Sequence, residues 1–406
     1  MKLRYAFVYL TAFVSVTLLF NACKDQGNKE PENKPTSSSD SDSLFLATSG
    51  SLAVNSPDEF SWTMFARICA KAQQQSKVGP NNVETNNAIW ETWADDPTTY
   101  PSSPDTANPP VFGAVQKKGK VLESIQQQEF RRRLFLKNPQ AHVTIAPSGS
   151  SEETRRNAAS FNFIINNGLW YTQGLMAAFK KNVNGGTYNP LTFPIDAVEV
   201  KAVWKPITKD SMQYYHWNYD AQGNLYGMVA FHIMTKALPN WTWATWEWTG
   251  NAGRCDYMGC IDSFGVTPSY EAPNATLNQQ YAPGTLTPQL LAIFKQFGLG
   301  DEWKNYRLKG AQIDWIDATG RTILLGNSVT EAGFVQSSSC ITCHSNASFD
   351  SGGNFMPSVG FTNSGQSQNG AVNPANFWQN GSAPYGNLVY LPYDFVWGVL
   401  RVSPAK

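Results

Sequence analysis

Two cysteines three residues apart, with a histidine directly after the second, occur at Cys340-Ile341-Thr342-Cys343-His344. One chemistry uses all three side chains. Each thiol can add to a vinyl group of a single porphyrin, and the imidazole that follows reaches the iron from the same side. With six Cys and four His in 406 residues, chance would produce this pattern in about one such chain in a thousand. Two other readings use part of the pattern. A redox dithiol belongs in a βαβ setting, which the polar approach Ser337-Ser338-Ser339 does not suggest. A zinc site needs a second ligand pair, for which Cys255 and Cys260 are candidates. The motif therefore predicts one covalent haem c, held by Cys340 and Cys343, with His344 as the proximal iron ligand.

A sixth ligand is less determined. Met356 is the sole methionine after the motif, in the loop-like run Gly352-Gly353-Asn354-Phe355-Met356-Pro357. His232 is its rival, on an apolar strand, where a core histidine bonded to a neighbour is the competing reading. His216, after Tyr214-Tyr215, reads as a surface or turn residue, and His142 has no partner in view. An open sixth position would favour peroxide or small-gas chemistry over simple electron transfer.

The chain opens with Lys2 and Arg4, then a 16-residue apolar run from Tyr5 to Phe20, too short for a spanning helix. It ends in Asn21-Ala22-Cys23, which resembles a bacterial lipobox in which Cys23 is lipidated. Four segments follow: a signal peptide over 1–22, a flexible polar linker over 23–55, a body over 56–320 and a haem-binding segment over 321–406 packed on it. An exported chain should oxidise thiols that can meet. Cys255 and Cys260 enclose four residues and could close a disulfide. Cys69, on an apolar helix face, reads as a buried thiol, and its pairing with either stays open. Basic and acidic residues balance at 31 each, which argues against a nucleic-acid partner. Membrane contact is expected through the lipid anchor alone. The expected location is the Gram-negative cell envelope, on the outer membrane, facing the periplasm or the exterior.

These residues must be carried by a body whose pattern reads as α+β. Pro57, Asp58 and Glu59 open a helix with Phe60, Met64, Phe65, Ile68 and Cys69 on one face. Further helices are expected at about 86–94, 121–137 and 173–183, the second carrying Arg131, Arg132 and Arg133 on a solvated face. Strands are expected over 195–206, 225–235 and 241–248. Thr287-Pro288 starts another helix, closed by Gly298, and short strands follow near 307–316 and 321–325. The sum is helices around a central antiparallel or mixed sheet, with a C-terminal helical or loop haem segment. Trp241, Trp243, Trp246 and Trp248 could instead stack sugars, the reading of a glycan-binding lipoprotein, although alternating tryptophans on a strand usually belong to a core. No G-x-S-x-G or H-E-x-x-H motif occurs.

Several runs together resemble a family of exported bacterial proteins carrying a cytochrome c domain. They are Phe193-Pro194, Glu199, Lys201-Ala202, Trp204, His232-Ile233, Lys236 and Trp241 to Thr245, then Trp303, Tyr306, Leu308 and Gly310, then Leu325 to Ser328, Glu331 and Ser338 to His344. The resemblance covers about residues 190–350. It implies covalent haem c and an electron-transfer or haem-redox role, and names neither substrate nor redox partner. An electron carrier leads; a haem enzyme or sensor, an oxidoreductase if catalytic, is the alternative. The lipobox yields a direct expectation: the protein fractionates with membranes and partitions into detergent, and Cys23→Ser moves it to the soluble fraction. A variant that stays with the membrane would refute lipid anchoring.

Overall fold

The computed structural model describes residues 38–113, 119–124, 150–184, 187–274, 276–331, 334–356, 369–379 and 387–406. The signal segment with Cys23, most of the expected helix over 121–137 with its three arginines, and His142 lie outside them. Among the described residues no helix is long and apolar enough to cross a membrane.

The chain is α+β. Among the described residues eight strands form the central sheet: β1 Ala94–Asp95, β2 Glu123–Ser124, β3 Ser151–Arg156, β4 Val198–Pro206, β5 Trp217–Tyr219, β6 Leu225–Thr235, β7 Thr242–Trp248 and β8 Tyr306–Gln312. The order is β8-β7-β6-β4-β3-β1, with β2 also on β3 and β5 on the start of β6. All these pairings are antiparallel. The long strands are buried on both sides, as the nearly unbroken apolar run of β6 requires.

The two faces differ in kind. On one, Ala202, Phe231 and Trp246 line up across β4, β6 and β7, with Val200, Ile233 and Ala244 beside them. Helices α1 Ser38–Thr48, α2 Gly50–Asn55 and α3 Pro57–Cys69 cover this face. Phe65 of α3 is its hub, with ring centroids 5.0 Å from Trp246, 5.2 Å from Trp62 and 5.4 Å from Trp303. The opposite face carries Val203, Ala230 and Glu247 in one row, Lys201, His232 and Thr245 in the next, and Glu199, Met234 and Trp243 in a third. This mixed polar and apolar face is covered by α4 Ala158–Asn166, α5 Thr172–Asn182 and the C-terminal segment. Residues on both sides of the expected 320/321 boundary share this second core, and Ser38–Lys406 is one compact unit.

Several expectations need correction, among them that Ser56, just before Pro57, caps the first helix with its hydroxyl. Residues 38–55 of the expected linker are helical and packed. Leu46 is 1% exposed and Ala53 fully buried, and Phe45 stacks on Phe60 at 5.7 Å. The polar average of this stretch hid a short apolar face. At 86–94 a 3-10 turn, Ile89–Thr92, replaces a full helix, because Glu91 turns inward to buried partners. Ser56 does not cap α3 through its side chain. The expected strand over 321–325 is reduced to two isolated bridges, Thr322 with Ile316 and Leu325 with Ser339. By contrast α6, Pro288–Phe297, has the expected form, with Thr287 accepting from the Leu290 amide at 3.2 Å and Gly298 left-handed at φ 67. Packing of residues 38–55 carries a prediction. Leu46→Ala should lower unfolding stability by about 2–5 kcal/mol in denaturant titration, whereas a true linker would lose nothing.

Candidate haem site

The C-x-x-C-H motif lies on a short helix, α7 Cys340–Ser345. Its inner side is buried: Ile341 is 0% and Thr342 2% exposed. Helical spacing then puts Cys340, Cys343 and His344 together on the other side, where all three are half-buried. Gln312, the last residue of β8, fixes the start of α7. Its Nε2 donates to Ser339 Oγ at 3.0 Å and to the Ile323 carbonyl at 2.9 Å, and its Oε1 accepts from the Ile341 amide at 3.1 Å. An amide can serve both because it carries a donor and an acceptor.

The other end of α7 is held by a turn near the C-terminus. His344 Nδ1 lies 2.8 Å from the Phe395 carbonyl oxygen. A carbonyl only accepts, so the proton sits on Nδ1 and the Nε2 lone pair is free for a metal. Burial pushes the His344 pKa down to about 4, keeping the ring neutral. The Trp243 ring lies 4.6 Å from the imidazole, Trp397 Nε1 donates to the Cys343 carbonyl at 3.3 Å, and the Tyr393 amide donates to Ala347 at 2.8 Å. Asp394 and Phe395 both have positive φ, 45 and 72. For non-glycine residues such backbone costs on the order of 1–3 kcal/mol each, so surrounding contacts must hold it. Cys340 and Cys343 are outside any disulfide, and burial, reinforced by Glu331, raises both thiol pKa values, that of Cys343 to about 12.

These residues fit haem c: two thiols and a neutral imidazole with its Nδ1 proton already committed, beside an apolar core. Among the described residues no group of three or more His, Cys, Asp or Glu could hold a metal ion. A haem iron does not need one, because the porphyrin supplies four nitrogen donors. Cys255 and Cys260 are joined in a disulfide, so they form no zinc ligand pair, and Cys69 is a buried free thiol. A cavity of about 300 Å³, lined by Trp315, Ser345, Phe377, Trp378 and Leu388 among others, opens beside the residue that follows His344.

The possible distal ligands are placed differently. His232 stands in the middle row of the sheet face that the motif covers. Its Nε2 lies 2.8 Å from Thr330 Oγ1. Burial, then the charges of Lys201 and Lys309, lower its pKa to about 3. Met356 is 6% exposed and packs in the same core as Ile341. His216 is not at the surface. It is 2% exposed, with Nε2 2.7 Å from Glu91 and its ring stacked on Trp303 at 4.3 Å, and so takes no part in the site.

Between sheet and motif runs a buried polar layer that sequence reading missed. Glu247 accepts from the Ser328 amide at 2.8 Å and faces Lys309 Nζ at 3.4 Å, both side chains fully buried. Asn327 donates to Thr245 Oγ1 at 2.9 Å and to the Trp246 carbonyl at 3.2 Å. Glu331 closes the turn by accepting from the Asn327 amide at 2.6 Å. The only sequence signal was the run Leu325 to Ser328 with Glu331. Trp241, Trp243 and Trp246 are at most 3% exposed, and Trp248 stacks on Tyr215 at 4.4 Å, so this strand offers no sugar-stacking face.

The chain matches no protein-family model, no curated protein and no solved structure. Glu331 supplies a prediction that needs no cofactor. Burial raises its carboxyl from 4.5 to about 7 against the lowering Asn327 bond and lysine charges. The raised value favours the protonated form in the fold, so its stabilising contribution is complete below pH 4.5 and is lost as pH rises through about 7. Relative to Glu331→Gln, which keeps the acceptor for Asn327, the haem-free wild type should lose about 3 kcal/mol across that window in denaturant titrations. Parallel profiles would contradict this.

Proposed function

We propose that the chain is a monohaem c-type cytochrome that carries electrons in the cell envelope of a Gram-negative bacterium. One observation carries the reading. Both thiols of the C-x-x-C-H motif and His344 share one face of α7, and the Nδ1 proton of His344 is committed to the Phe395 carbonyl. Bound haem would supply a one-electron ferric/ferrous couple. The protein's part is to hold it. Cys340 and Cys343 tether the macrocycle, His344 Nε2 ligates the iron, and Trp243 fixes the plane of the imidazole. The packed core of Ile341, Trp243 and Met356 beside the motif limits rearrangement between oxidation states. Cys23, as a lipid anchor, would tie this body to the outer membrane.

A second reading keeps the haem and opens its sixth position, making the protein an oxidoreductase or a sensor of peroxide or a small gas. The contact between His232 Nε2 and Thr330 favours it, because that nitrogen is already engaged. Spectroscopy separates the two. The protein expressed with haem c maturation should hold one covalent haem that resists acid-acetone extraction and gives a c-type pyridine haemochrome. A colourless, exported product would refute both readings. Optical and EPR spectra should show low-spin, six-coordinate ferric iron. Met356→Ala should convert it to high spin and abolish a weak near-red sulfur band if thioether is the ligand. His232→Ala should do so without that band if imidazole is. A high-spin wild type, unchanged in both variants, would replace the carrier with the open-site reading.

A further inference from the structure

The carbonyl that takes the His344 proton belongs to one of two consecutive non-glycine residues in left-handed backbone, Asp394 and Phe395. Such backbone persists only where neighbours over-determine it. Here the Asp394 carboxylate does so. Its Oδ1 lies 2.6 Å from Lys236 Nζ, and its Oδ2 accepts from the Phe193 amide at 2.7 Å. Lys236 in turn donates to the Pro239 carbonyl at 2.7 Å, and its amide donates to Ala197 at 2.9 Å. It directly follows β6, the strand that bears His232. Both members of the pair are under 10% exposed. A buried pair in which both members make further hydrogen bonds is rigid and is little screened by salt. Charge on the sheet is thus linked through Asp394 and the Phe395 carbonyl to the Nδ1 proton of His344.

We propose that the Lys236–Asp394 ion pair is the positioning device for the proximal ligand: it holds the Phe395 carbonyl on the His344 Nδ1 proton and thereby sets the electron donation of Nε2. The inference rests on the haem reading and goes beyond it by assigning control of the iron's potential to two residues outside the motif. A strongly held Nδ1–H···O bond makes the imidazole a better donor and favours ferric iron. Loosening the carbonyl should favour ferrous iron.

The test uses the full chain with haem attached, as wild type, Asp394→Asn and Lys236→Met. Asp394→Asn keeps an acceptor for Phe193 and removes the charge; Lys236→Met keeps the bulk of the side chain. Both variants should show a higher midpoint potential in redox titration, with the ferrous-to-ferric ratio at fixed solution potential rising by up to about tenfold, or about 59 mV for one electron. In NMR, the hyperfine-shifted Nδ1 proton of His344 should shift and exchange faster with solvent. Together the two substitutions should add little to either alone, since they break one chain of contacts. Potentials and proton resonances equal to wild type in both variants would overturn the proposal. So would lowered thermal stability with an unmoved potential, which would make the pair a structural staple only. Loss of haem from both variants in a folded chain would also overturn it, assigning the pair to haem retention. A wild type without covalent haem would instead strike down the haem reading itself.

Discussion

Burying both faces of an antiparallel sheet leaves polar side chains on the second face with no water to turn to. Thr245, Glu247 and Lys309 stand there fully buried, with the half-buried His232 beside them. A buried polar group without a partner costs about 1–3 kcal/mol, and a charge costs more. The 325–331 turn supplies partners: Ser328 for Glu247, Asn327 for Thr245, Thr330 for His232. Satisfying the sheet therefore fixes the turn. The turn in turn fixes Leu325, whose amide bonds to the Ser338 carbonyl at 3.0 Å just before the motif. The location of Cys340 thus follows from the hydrogen-bond needs of a sheet whose last strand, β8, ends 28 residues earlier.

The motif helix is too short to be stable alone. Contacts at its two ends make up for that. Gln312 holds its first turn from β8, and the Tyr393 to Trp397 turn holds its last. Both anchors lie outside the motif, 28 residues before Cys340 and 51 after His344 in the cases of Gln312 and Phe395. The same turn bears the left-handed pair Asp394-Phe395, so local backbone strain coincides with the group that orients the imidazole. Strain of this kind concentrates where geometry matters for function.

Charge is also stored away from the site. Glu91, His216, Lys120, Glu153 and Arg155 form one buried network, and Arg156 joins Asp96 and Glu199 in another. Burial pushes Glu91 up, but Lys120 and His216 outweigh it and hold the carboxylate ionised. Lys120 also lies 4.0 Å from the Trp204 ring centre, over the edge of the aromatic core. Removing one member of such a pair leaves an uncompensated buried charge, at about 3–5 kcal/mol. These networks stitch β3 and the segment around β1 to β4, where the apolar pattern is weakest.

Local signals in the amino-acid sequence determined the α+β class, the three long strands and the helix from Pro288 to Phe297, and they supply the C-x-x-C-H spacing on which the haem proposal rests. Each rests on short-range physics: period-two or 3.6 apolar spacing, a cap and a left-handed glycine, and thiols spaced for one macrocycle. Tertiary structure alone decided the rest. No periodicity marks Glu247, Lys309, Gln312 or Asp394, because their partners are distant in the chain and a charged residue reads as solvated until its neighbours are known. His216 looked exposed for that reason, and residues 38–55 looked unstructured because a few apolar side chains among polar ones suffice once α3 and the sheet offer a place to bury them. The histidine proposed as the proximal ligand could be named from five consecutive residues. The carbonyl that orients it comes from a turn that only the folded chain brings alongside.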